Sequence, residues 1–239
     1  MFQQKPGLFH FSKPTNPSPA DARSVLLSSE QRVAMEPQMH WAPRSFPIEI
    51  RRELKIADLA DASMEELEQA EEDGWLAGNR SYRDLRGFPW EEVRAALDAE
   101  IAVINRLKAA EDLEAEVSAF EDLQATSFED EPALWGLDVG VAAATIAISA
   151  YGATPVSSCN AGAFGGQHQA RYPYVAFFLS KELAPEIMLC AEASDVGLLC
   201  DENGIAQIYG QGEMDLVRFA ETAWKRNSSP GTRSPSESG

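Results

Sequence analysis

Apolar residues in the first half of the chain recur by threes and fours. Val93, Leu97, Ile101, Ile104, Leu107, Ala110, Leu113, Val117 and Phe120 draw one stripe down a helix, with Glu and Asp on the remaining surface. Pro89 opens this helix. An unbroken helix of about 35 residues exceeds the usual globular length. The pattern therefore predicts a break near Ala109-Ala110, or packing along the full length as a helical hairpin or against a second chain. Upstream, Ser63-Met64-Glu65-Glu66 has the form of a capping box and starts a shorter helix that ends near Gly74. Ser18 followed by Pro19 starts another, with Ala22, Val25, Leu26, Ser29 and Val33 on one face. Pro37, Pro43 and Pro47 keep the segment after it irregular.

The pattern changes after Glu129-Asp130-Glu131-Pro132: charge thins, glycine rises, and short apolar runs follow one another. Asp138 is placed to cap a helix over 139–151, apolar nearly all round and so buried, with Gly152 ending it. Strands are predicted over 154–158 and 174–179. Pro185 opens a helix with Ile187, Met188, Ala191 and Ala193. Strands over 196–200 and 205–209 flank Asn203-Gly204, a dipeptide suited to a tight hairpin. A last amphipathic helix carries Leu216, Phe219, Ala220, Ala223 and Trp224. Glu213 and Asp215 at its start and Lys225 and Arg226 at its end match the dipole. This is helix-strand-strand twice, closed by a helix. The expected fold is α+β: a helical N-terminal region packed on a C-terminal two-layer α/β sandwich with a four-stranded, mostly antiparallel sheet. The expected divisions are an arm over 1–17, an acidic helical region over 18–131, the sandwich over 132–227 and a tail over 228–239.

Charge narrows the function classes. The 239 residues carry 38 acids against 20 bases, a formal net charge of −18. Such a balance opposes non-specific nucleic-acid binding, which runs on Lys and Arg displacing counterions, and opposes docking on an anionic membrane. No run approaches the roughly 20 apolar residues of a membrane span, and residues 1–12 lack the apolar core of a secretory signal. Cys159, Cys190 and Cys200 are odd in number and show no C-x-x-C spacing, which fits a reducing cytoplasm. His10, His40 and His168 have no partner at metal-ligand spacing, so no metal site is expected.

Candidate chemistry gathers in the stretch PVSSCNAGAFGGQHQARYPY, residues 155–174. Gly162, Gly165 and Gly166 allow the backbone to approach a ligand, and successive amides there suit an anion-binding nest. Ser157, Ser158, Asn160, Gln167 and Arg171 supply hydrogen-bonding groups for that ligand. A phosphate loop proper needs a following helix and, for the P-loop type, a lysine; a strand follows here and no lysine is present. The glycines equally suit a long hairpin loop that needs positive φ. Cys159 and His168 are a candidate nucleophile and base, with His168 or Arg171 favouring the thiolate. Cys190 and Cys200 fall on core faces.

The order of apolar helix, strand ending Val156-Ser157-Ser158-Cys159-Asn160-Ala161-Gly162, second strand from Tyr172-Pro173-Tyr174-Val175, helix, and Gly197 resembles the wybutosine-synthesis tRNA methyltransferase family that carries a Ser-Ser-Cys-Ser-Gly-Arg motif. The resemblance spans about residues 138–204. Ser157, Ser158 and Cys159 match the motif's first three residues and Gly162 its glycine, displaced by one position, while Ala163 stands where the arginine belongs. It implies a mixed α/β fold and S-adenosylmethionine-dependent methylation of a tRNA base. The residues themselves name no cofactor. Three functional expectations follow. The first is a cytoplasmic ligand-binding or regulatory protein that takes a small molecule or peptide at the loop and a partner or second copy along the long helix. The second is an enzyme, methyltransferase-like or a cysteine-dependent transferase or hydrolase. The third is an acidic protein-protein accessory such as an immunity or antitoxin-like subunit.

Overall fold

The computed structural model describes residues 41–60, 87–127, 130–165 and 170–228, all within the unit Met39–Gly239. The expected arm over 1–17, the helices opening at Ser18 and Ser63, His10, His40, Gly166, Gln167, His168 and the tail beyond Ser228 lie outside these residues. Five α-helices are described: α1 (Trp90–Ala109), α2 (Leu113–Ser127), α3 (Ala142–Ala150), α4 (Ala184–Ala193) and α5 (Asp215–Ser228). Strands β1 (Thr154–Cys159), β2 (Tyr174–Phe178), β3 (Gly197–Cys200) and β4 (Ala206–Tyr209) form one sheet in the order β1-β2-β4-β3, every pair antiparallel. The α+β class and the two helix-strand-strand units expected from the sequence are what the chain forms. Ser228, expected to begin the tail, instead closes α5, its hydroxyl bonding the Trp224 carbonyl at 2.7 Å.

Period-two burial selects the sheet's inner face. Val175 pairs with Ile208, and Ile208 with Leu198, and all three are buried. Helices α3, α4 and α5 cover this face, and α1 lies behind α3 and α5 as a further tier. One hydrophobic cluster includes residues from both sides of Pro132, from Val93 and Leu107 to Phe177 and Phe219.

The long apolar stripe breaks where expected. Ala110 is extended (φ −66°, ψ 134°), and the Asp112 side chain accepts the Ala115 amide at 3.0 Å to start α2. The buried face of α1 is Val93, Ala96, Leu97, Glu100, Val103, Ile104 and Leu107, a strict three-and-four spacing that leaves Ile101 39% exposed. Ile104 and Leu107 are buried inside the single chain. These two positions of the stripe are thus covered within one chain, while Ile101 stays partly exposed.

Glu100 is the unexpected member of that face. It is fully buried, and its carboxylate accepts the amides of Gly140 (2.7 Å), Ala142 (2.9 Å) and Ala143 (3.0 Å). These are the leading amides of α3, which is buried along Ala142 to Ser149 and has no water to satisfy them. Asp138, expected to cap this helix, does not. Gly140 (φ +95°) turns the chain first, the helix starts at Ala142, and the Asp138 carboxylate faces the Asn160 amide at 3.4 Å. At the other end Gly152 (φ +93°) donates to Ser149 and Ala153 to Ile148, a Schellman close that fits the expected glycine stop.

Residues 41–60 strap the β3 edge. The Leu198 amide donates to the Arg51 carbonyl (2.8 Å) and the Glu53 amide to the Leu198 carbonyl (3.0 Å), so a parallel segment closes an edge open to other chains. The Tyr209 hydroxyl accepts the Arg51 amide and donates to the Glu49 carbonyl. Its ring lies across Gly197, where a Cβ would come within 2.1 Å of it. In the β3–β4 turn only Gly204 is left-handed (φ +79°). The Asp201 carboxylate takes the Asn203 and Ile205 amides, so the loop over 201–205 is wider than the tight hairpin expected around Asn203-Gly204.

Burial pushes the Glu100 carboxyl up from 4.5 to about 7, against the pull of the Ala143, Ala142 and Gly140 amides. Between those values the folded chain holds a proton that the unfolded chain releases. This contribution is full below about pH 4.5 and is lost as pH rises through about 7. In denaturant titrations, wild type should lose about 3 kcal/mol more than Glu100→Gln between pH 4.5 and 8. Parallel profiles for the two proteins would show that the amides keep Glu100 ionised throughout.

Candidate functional site

β1 delivers the candidate loop at its C-terminal end. Ser157 pairs with Ala176 on the face away from the helices, and its Oγ lies 2.9 Å from the Tyr174 hydroxyl. Cys159 pairs with Tyr174 on the same face, half-buried, its sulfur 3.4 Å from the Ala161 amide. Ser158 pairs with Val175 on the helix side.

The loop then turns inward. Asn160 is buried: its Nδ2 donates to the Val139 carbonyl (2.9 Å), and its Oδ1 accepts the Gly162 amide (2.8 Å) in an Asx turn. Ala161 (φ 54°) and Gly162 (φ 71°) are both left-handed. The Ala163 amide donates to the Asn160 carbonyl (3.0 Å) and the Gly165 amide to the Gly162 carbonyl (3.3 Å). The amides of Ala161, Gly162, Ala163 and Gly165 thus face acceptors within the loop, and over these residues the nest expected for an anion does not form.

Side chains pack closely around this part of the loop. Phe164 is buried and stacks on Trp41, with centroids 5.5 Å apart and planes at 18°. At Gly165 (φ +99°) a Cβ would come within 2.6 Å of Val117 Cγ2. Gly165 packs closely against α2. The Arg44 guanidinium donates to the Gly162 carbonyl. Arg171 is exposed, just ahead of Tyr172, whose ring meets Tyr209 at 5.2 Å.

His168 lies outside the described residues, so the Cys159–His168 pair has no geometry to weigh. Burial pushes the Cys190 thiol up to about 11, and burial with Asp201 and Asp58 raises that of Cys200. Neither is a thiolate at neutral pH. Among the described residues no three His, Cys, Asp or Glu cluster to hold a metal, and no helix is long and apolar enough to cross a membrane.

Sequence reasoning missed Trp41, Lys108 and Glu213, which meet beside Phe164. The Glu213 carboxylate accepts Trp41 Nε1 and the Arg44 amide (3.0 Å), and Lys108 Nζ lies 2.6 Å from it. No local pattern marks this cluster, since its members are 172 residues apart at the extreme. Glu100 did leave a signal: it is an acid in register with Leu97, Ile104 and Leu107.

Gly165→Ala should destabilise the fold by about 1–3 kcal/mol in chemical denaturation, through left-handed backbone and collision with Val117. Adding Val117→Ala should recover part of that loss. A change of only a few tenths would show that α2 yields at this contact. No protein-family model matches the chain, and no curated protein and no solved structure matches it, so its chemistry is read from these residues alone.

Proposed function

We propose that this chain is a binding protein whose contact surface is the sheet face opposite the helices, together with the outward side chains of the described loop residues 157–165 and 170–171 at its end. The observation that carries this reading is that, among the described residues, helices pack against only one face of the sheet. Helices pack the inner face, while Ser157, Cys159, Tyr174, Ala176, Phe178, Leu199 and Gln207 remain half-exposed on the strands. Aromatic rings, a small residue at the centre, two hydroxyls and an amide suit a small organic molecule or short peptide with an apolar portion. Arg171, exposed beside this face, would meet an acidic group on it. The cytoplasm is part of the proposal, and the three cysteines are free thiols.

A second reading, an acidic accessory to a basic protein, is favoured by the ion pairs. Arg51, Arg52, Arg94, Arg106, Lys108, Arg218, Lys225 and Arg226 each engage an acid of the chain itself, within a sequence of net charge −18. Surplus carboxylates, among them Glu111, Asp112, Glu114, Glu121 and Asp122, face outward.

Native mass spectrometry of the purified protein, followed by selection from a displayed peptide library, tests the first reading. Ala176 pairs with both Ser157 and Gln207, so Ala176→Arg places a bulky charge at the centre of the face. A retained molecule or selected peptide should bind this variant about tenfold or more weakly at unchanged melting temperature. Binding indifferent to Ala176→Arg overturns the proposal, and a basic protein that co-purifies equally with both forms supports the second reading.

A further inference from the structure

Five segments converge on one carboxylate and one aromatic stack. Glu213, in the turn between β4 and α5, is 4% exposed. From the strap it receives Trp41 Nε1 at 3.1 and 3.2 Å and the Arg44 amide at 3.0 Å, and from the end of α1 the Lys108 ammonium at 2.6 Å. Lys108 also stands over the rings of Trp41 (5.6 Å) and Phe164 (5.7 Å). Phe164 brings in the loop, and its ring also packs against Gly140, where a Cβ would sit 2.6 Å from it. Arg44 adds a second tie between strap and loop through the Gly162 carbonyl.

We propose that the strap over residues 41–46 and the loop over residues 160–165 form one conformational unit that docks and releases as a whole. Lifting residues 41–46 would strip Glu213 of the Trp41 indole and the Arg44 amide, leaving it Lys108, and would uncover a face of Phe164 and leave the Gly162 carbonyl without its guanidinium. Each loss makes the next segment easier to release, because a buried charge and its partners act as a set. A half-docked strap is therefore scarcely populated. Whatever captures residues 41–46 also frees the loop beside Ser157, Cys159 and Tyr174, giving the fold a built-in latch at that end of the sheet. The inference stands on these contacts whatever the sheet face binds.

Hydrogen exchange on the full chain, read by mass spectrometry, tests the coupling in both directions. Trp41→Ala and Glu213→Gln should speed exchange in peptides covering 160–165 about tenfold or more, while Val175 and Ile208 in the central strands keep wild-type protection. Reciprocally, Phe164→Leu should speed exchange across 41–46, since coupling between two segments acts equally from either side. If the strap variants loosen 41–46 and leave 160–165 unchanged, strap and loop are independent and the proposal fails. If the central strands accelerate as much as the loop, the cluster is part of global stability rather than a separable latch, and the proposal fails equally.

Discussion

A buried carboxylate fixes how the helices of this protein stack. α3 lies between the sheet and α1 with residues of every side buried, so its leading amides have to be met by protein. Glu100 meets three of them from α1, and the positive end of the α3 dipole adds to the attraction. Glu100 shares its stripe with Leu97, Ile104 and Leu107, so apolar burial and hydrogen bonding select the same rotation of α1. A slip of one turn, about 5.4 Å, would bury three amides without acceptors and leave the carboxylate unsatisfied.

The same residues carry order outward from the core. Gly140 gives its amide to Glu100, and its α-carbon leaves no room for a side chain beside Phe164. Phe164 stacks on Trp41, and Trp41 reaches the second buried carboxylate, Glu213. From there the strap runs on to pair with Leu198 and reaches the β3–β4 turn, where Ala60 donates to Gly204. One sheet edge is thereby closed by the chain itself. At the other edge β1 carries Pro155, which lacks an amide donor, and a register shift before Ser157.

Much of this fold is legible in the sequence because one-sided burial writes periods of two and of about 3.6 residues into the chain. The four strands, α4, α5 and the break at Ala110 fall within a few residues of where those periods put them. Ile101 misled because it continues the every-fourth series from Val93 and Leu97, and that series drifts off a helix face. The buried face instead steps from Leu97 to Glu100, and counting an acid as polar hid the step. Asp138 is the right residue type in the right place for a cap. Its failure depends on Gly140 turning the chain and on a partner 40 residues away. At Asn203-Gly204 the turn is correctly located, but its width is set by the Asp201 side chain, which captures two amides.

The candidate loop was the hardest stretch to read, because glycine at positive φ serves ligand approach and tight packing alike. Two observations separate these uses: where the neighbouring amides point, and what a Cβ would strike. Over residues 161–165 the Gly162 amide goes to Asn160, and the space beside Gly165 belongs to Val117. With four of these five amides facing acceptors within the loop and the space at Gly165 filled, this segment is a wall rather than a cradle. Any ligand at this end of the molecule meets side chains rather than those main-chain amides. The side chains turned outward there are Ser157, Cys159 and Tyr174, whose strand register continues into Ala176 and Gln207. The physics of the loop thus shifts the candidate contact surface from the glycines onto the strands that flank them.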